Sequence, residues 1–218
     1  MTVTLTASLE PDAQEQAVAV LQRYFHPGGK FAGSRWDTFD PSGTRAASAN
    51  TFTADDLMAC SLLSAPMKEK AVVALLLDRR REFEVLLQDI GPDRDFITVE
   101  TTEGPEYAPV RALYGALTSI DGIGQTRATK LLARKRPRLV PIVDDVIWEK
   151  VFNFAPYQWQ PLHEALRADD CALWNRLISL REDAGLSPAV PVLRIFDVLA
   201  WMDGKGYSGT PVGSDDQA

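Results

Sequence analysis

The stretch Leu117-Thr-Ser-Ile-Asp-Gly-Ile-Gly-Gln-Thr-Arg-Ala-Thr-Lys-Leu-Leu132, followed by Leu139-Val-Pro-Ile-Val-Asp144, decides the reading of this chain. Ahead of the glycines, Val110, Leu113, Tyr114 and Leu117 recur at the spacing of one helical face, so a helix leads into the turn. Behind them, Ala128, Leu131 and Leu132 form a second apolar stripe, while Arg127, Lys130 and Arg134 fall on a neighbouring face. Gly122 and Gly124 supply backbone freedom for a tight turn, and Ile123 between them can plug the hairpin. The second helix then opens with unpaired N–H groups at the positive end of its dipole, a ready phosphate site. Gly122, Ile123, Gly124, Gln125, Thr126, Arg127, Lys130 and Arg134 are therefore the expected DNA-backbone contacts.

These residues resemble the helix-hairpin-helix motif, and the downstream carboxylate narrows the resemblance to the helix-hairpin-helix base-excision DNA glycosylases. In that superfamily an apolar run after the hairpin ends in a catalytic Asp. Here Asp144 lies 20 residues beyond Gly124, the spacing of the endonuclease-III-like branch. The resemblance spans about residues 110 to 152. It implies an all-α, two-lobed helical glycosylase-like fold, double-stranded DNA as partner, a flipped nucleotide and Asp144 as the catalytic residue. Bifunctional members carry a Lys two residues after the second glycine. This chain has Thr126 there, which implies base release without strand cleavage. The Cys₄ iron–sulfur cluster of some members has no counterpart, because the chain holds two Cys and two His, and no metal or other cofactor is expected. As a whole the chain also resembles an uncharacterised, chiefly actinobacterial family, through its aromatic, Gly-containing N-terminal loop and the segment from Lys130 to Leu139.

The chemistry suits the residue types. Cleaving an N-glycosidic bond develops positive charge on the sugar, which a fixed carboxylate stabilises while it orients or deprotonates water. The target base must leave the stack and be held by pocket groups. Aromatics interleaved with glycines in Tyr24-Phe-His-Pro-Gly-Gly-Lys-Phe-Ala-Gly-Ser-Arg-Trp-Asp-Thr-Phe39 suit that task, and Phe31, Trp36 and Phe39 are the expected base-pocket residues. Each candidate has a plainer reading. Asp144 is well placed to cap the helix that starts right there, and its neighbour Asp145 competes with it for the catalytic, substrate-facing role. The aromatics can instead anchor the loop to the helical body, and the cations can form a solvated face. A non-catalytic helix-hairpin-helix DNA-binding module is the alternative function. A nuclease ranks last, for want of clustered acidic metal ligands.

Composition frames these expectations. With 45% hydrophobic residues, 218 positions suffice for one sizeable core. Between Gly122 and Val143 stand six cations and no acid, against 17 cations and 30 acids elsewhere. That asymmetry fits a local DNA footprint on an otherwise acidic molecule. Cys60 and Cys171 show no disulfide framework, and neither a basic leader nor a membrane-length apolar run is present, so a monomeric cytoplasmic protein is expected.

Residues 1–203 are read as a single helical domain, with the hairpin at about 110–136, the catalytic segment at 139–152 and a disordered tail over 204–218. Helices are expected over 11–25, from Thr53 to Leu63, twice between Met67 and Ile90, and over 161–168, 170–184 and 190–202. Thr53-Ala-Asp-Asp56 has the form of a capping box, and Phe96 to Val99 has strand propensity. Trp148, Trp159, Trp174 and Trp201 fall on helical patterns as core positions.

Overall fold

The computed structural model describes residues 3–156 and 158–209, and these are all-helical, with no strand among them. The chain divides into two compact units, Met1–Ser34 with Asp145–Ala218, and Arg35–Asp144.

The first unit holds α1 (Gln14–Tyr24), α7 (Asp145–Lys150), α8 (Trp159–Asp183) and α9 (Val192–Gly204). Ten of the thirteen residues of α9 are buried, which is why its sequence is apolar nearly all round. Its two buried charges satisfy each other: Arg194 pairs with Asp197 and donates to the Tyr24 hydroxyl at 2.7 Å and to the Gly33 carbonyl at 3.0 Å. Gly204 ends α9 where a Cβ would stand 2.3 Å from Val146 Cγ1, so α7 and α9 touch backbone to side chain. The division expected at Asp169-Asp170 is a break inside α8, where Ala168 is extended and Asp169, Asp170 and Cys171 all have positive φ. Trp174 is buried, whereas Trp148, Trp159 and Trp201 are half-buried.

The second unit holds α2 (Ala54–Leu62), α3 (Glu69–Val73), α4 (Arg80–Ile90), α5 (Ala108–Thr118) and α6 (Gln125–Lys135). A π-helical turn over Ala74–Asp78 joins α3 to α4. Thr53 and Asp56 form the expected capping box on α2. Phe96–Thr98 is a 3₁₀ turn and not a strand. Phe96 buries its ring against Tyr107 (centroids 5.9 Å apart), and its N–H donates to the Arg138 carbonyl, so a tertiary contact overrides local propensity. α9 continues to Gly204 and the chain is described through Gly209; the part of the expected disordered tail from Thr210 on lies outside the described residues. Among the described residues no helix is long and apolar enough to cross a membrane.

Candidate nucleic-acid interface and carboxylate site

α5 and α6 pack against each other within the second unit, joined by the turn at Ser119–Gly124. The apolar spacing of α5 places Val110, Leu113 and Leu117 in the core. Ile123 is buried, and its N–H donates to the Ile120 carbonyl within the turn. Gly122 has φ +88°, a conformation that a β-carbon penalises, and the aliphatic stem of Lys68 lies over it. Gly124 is extended and exposed and opens α6 with no side-chain cap hydrogen bond. Gln125, Thr126 and Arg127 follow half-buried; Arg127 Nε donates to the Pro66 carbonyl at 2.9 Å, and no acceptor meets the Gln125 amide nitrogen.

The rest of the cationic run corrects the sequence reading. Lys130 and Arg134, expected at the DNA surface, are 4% and 2% exposed. Lys130 Nζ donates to the Leu63 carbonyl at 2.8 Å. Arg134 donates to the carbonyls of Trp36 (2.7 Å) and Phe39 and pairs with Asp56 at 3.2 Å. Lys135 reaches Asp56 at 2.5 Å and the Ser48 carbonyl at 2.9 Å. Arg136 spreads over the carbonyls of Ala49, Leu87 and Gly91 and the side chain of Asn50. Residues 36–53 form no regular helix long enough to satisfy their own backbone, and the cations of α6 accept that task from inside. Burial pushes Lys135 below the ordinary lysine range, against the opposing pull of Asp56, and pushes Arg136 down likewise. Only the ends of the run face outward: Arg127 in part, and Arg138, which pairs with Asp95 at 2.7 Å.

The base-pocket expectation is also corrected at Trp36, which is 1% exposed with the Arg134 guanidinium 5.6 Å from its ring centre. Phe31 lies in the first unit and Trp36 and Phe39 in the second. Phe31 is half-buried and stacks on Tyr24 at 5.3 Å, with the Trp201 and Tyr207 rings and the Lys30 ammonium also against it, all within the first unit. Phe39 is half-buried, its carbonyl taken by Arg134. In the first unit the N-terminal segment and α8 border a cleft of about 560 Å³, lined by Val3, Leu5, Leu9, Leu173 and Arg176 among others, which contains none of the three.

Asp144 is where hairpin and carboxylate meet. The run Leu139 to Val143 is buried, and Asp144, at its end, is 8% exposed. Two consecutive residues of α6 hold it. The Thr129 hydroxyl accepts from the Val143 N–H at 3.2 Å and lies 3.3 Å from the Val143 carbonyl, clasping the peptide just before Asp144. Lys130 Nζ stands 3.6 Å from Asp144 Oδ2. Asp145, its rival, is exposed and begins α7. Thr129 was missed in the sequence because a hydroxyl on the buried side of an amphipathic helix carries no periodic signal; its place three residues after Thr126 was the available hint. Among the described residues no three His, Cys, Asp or Glu side chains gather as metal ligands.

A family model, described as a family of unknown function (DUF6308), matches residues 17–204. The chain belongs to that family. The match begins within α1 and runs through α9, so the whole second unit and the Asp144 site lie within the family's extent. No curated protein and no solved structure matches the chain.

Proposed function

We propose that this protein is a monofunctional DNA glycosylase of helix-hairpin-helix type, with a two-lobed fold. The reading rests on one observation above the others: Asp144, at the end of a buried apolar run, is clasped to the second helix of a Gly-Ile-Gly hairpin through Thr129 and Lys130. The hairpin proposed as a phosphate grip and the carboxylate proposed as catalytic thereby lie in the same compact unit.

In this reading the hairpin turn and the positive end of the α6 dipole hold a phosphate of double-stranded DNA, with Arg127 nearby. The nucleotide to be processed is extruded at a cost of about a few kcal/mol. The carboxylate of Asp144 stabilises the positive charge that grows on the sugar as the base departs with the bonding electron pair. Water adds its oxygen to C1′ and gives up a proton, the base is released in protonated, neutral form, and an abasic site remains in an intact strand. Thr126 offers no amine for strand cleavage, and Lys130 Nζ is engaged with the Leu63 carbonyl. Because Lys130 and Arg134–Arg136 are turned inward, few cations meet phosphate, and log Kd should change with log salt by only about 0.9 per phosphate contacted, for a small number of contacts.

The substrate is a damaged base in the cell's own DNA or a hypermodified base, such as glucosylated hydroxymethylcytosine, in phage DNA. The test is mass spectrometry of bases freed from a panel of damaged duplexes and modified phage genomic DNA. Release, with the strand broken only after alkali, supports the proposal; incision without alkali through a borohydride-trappable adduct contradicts it. DNA binding without release from any substrate favours the non-catalytic module, in which Asp144 and Lys130 are simply a buried ion pair.

A further inference from the structure

We propose that Lys130 is a positioning residue for Asp144 and not a phosphate contact or a nucleophile. The inference rests on the glycosylase reading and adds a component to its site. Three observations carry it. The Lys130 side chain is 5% exposed, against 11% for Asp144, so the carboxylate is the more accessible member of the pair. Its ammonium donates to the carbonyl of Leu63, the C-cap of α2, at 2.8 Å, which ties the charge to the backbone. From that point it lies 3.6 Å from one carboxylate oxygen of Asp144, while its neighbour Thr129 clasps the preceding peptide. Backbone and side chain of the carboxylate are thus both referred to α6, the helix whose N-terminus faces the DNA in this reading. A buried charge tethered to a backbone carbonyl and attracting the carboxylate works as an orienting device: it biases the carboxylate toward one rotamer, and the value of an oriented group lies in the reacting step.

Such a role separates rate from affinity. Single-turnover base release and DNA affinity would be measured with the full chain, on whichever DNA the wild type processes, for Lys130→Met, Lys130→Arg and Thr129→Val, with circular dichroism to verify folding. Lys130→Met is expected to slow release roughly 10- to 100-fold, the scale of a misplaced reacting group, with DNA affinity unchanged. Lys130→Arg should recover part of the rate, and Thr129→Val should slow release without weakening binding. If Lys130→Met does not fold, the other two variants carry the test. A folded Lys130→Met, or failing that a Thr129→Val, with the wild-type rate overturns the inference. Affinity falling in step with rate, with a shallower salt dependence, returns Lys130 to the DNA surface. A borohydride-trapped adduct in the wild type that Lys130→Met abolishes makes it a nucleophile. If the wild type frees no base from any DNA, the glycosylase reading itself fails and takes the inference with it, an outcome distinct from an active wild type with an indifferent Lys130.

Discussion

Replacing Arg134 by Met separates the two roles that its place in a basic run allows. An outward-facing arginine would be lost at almost no cost in stability, and DNA binding would weaken on every sequence. The structure puts its guanidinium against Asp56, the Trp36 and Phe39 carbonyls and the face of the Trp36 ring, with the side chain fully buried. Met fills much of the volume but leaves two carbonyls without this donor and Asp56 with Lys135 alone of the two cations. Removing one member of a buried ion pair costs about 3–5 kcal/mol, since the partner's desolvation is no longer offset. At roughly 2–4 °C per kcal/mol for a chain of this size, Tm should fall by about 6–20 °C. Differential scanning calorimetry is the assay, and the second unit should unfold first, because residues 36–53 are tied down through this residue. Arg134→Lys should recover only a fraction, as one ammonium cannot satisfy acceptors spread around a planar fork. An unchanged Tm together with weakened DNA binding would refute the buried placement.

Other perturbations probe the hairpin and the periphery. Gly122→Ala places a β-carbon at φ +88° and 3.2 Å from Lys68 Cδ, so we expect a loss of about 1–2 kcal/mol in urea unfolding and weaker DNA binding, while Gly124→Ala, which meets nothing within 4 Å, should be nearly neutral for stability. Burial pushes the Asp93 carboxyl above its ordinary value despite the Arg138 N–H and charge beside it. Its folded state therefore holds the proton to higher pH than the unfolded chain, favours folding most fully below the unfolded value of 3.8, and loses that contribution as pH rises through the folded one. Asp93→Asn should accordingly raise Tm at neutral pH, with the gain fading once the medium is acid enough to protonate Asp93 in both states.

What was legible in the sequence was whatever a repeat distance or a local hydrogen bond encodes. The stripe Val110, Leu113, Leu117, the burial of Ile123 and the Thr53–Asp56 capping box all follow from spacing alone, and all are present. The cations were misread because periodicity reports that a face is charged and not whether it meets water. A charge run is a solvated face unless something nearby needs donors. Here the need came from residues 36–53, an irregular stretch whose carbonyls seek N–H groups, and from Asp56, whose capping role left its carboxylate within reach of Arg134 and Lys135. In the aromatic loop composition marks rings fit for stacking but not which of them the fold uses itself: Trp36 is enclosed, and Phe31 stacks on Tyr24. The clasp from Thr129 to Val143 joins residues 14 apart in sequence and has no local signature.

The most direct measurement compares wild type and Asp144→Asn for abasic-site formation and for DNA affinity on the same modified duplex. If Asp144 is the catalytic carboxylate, both proteins bind alike, the wild type converts the duplex to an alkali-labile but intact strand, and the variant does so more slowly by roughly 10²–10³-fold, the scale of losing one preorganised electrostatic contact in the transition state. Equal rates in the two proteins, or a variant altered only in its Tm beside a wild type that frees no base, would contradict that role and leave Asp144 as a structural carboxylate.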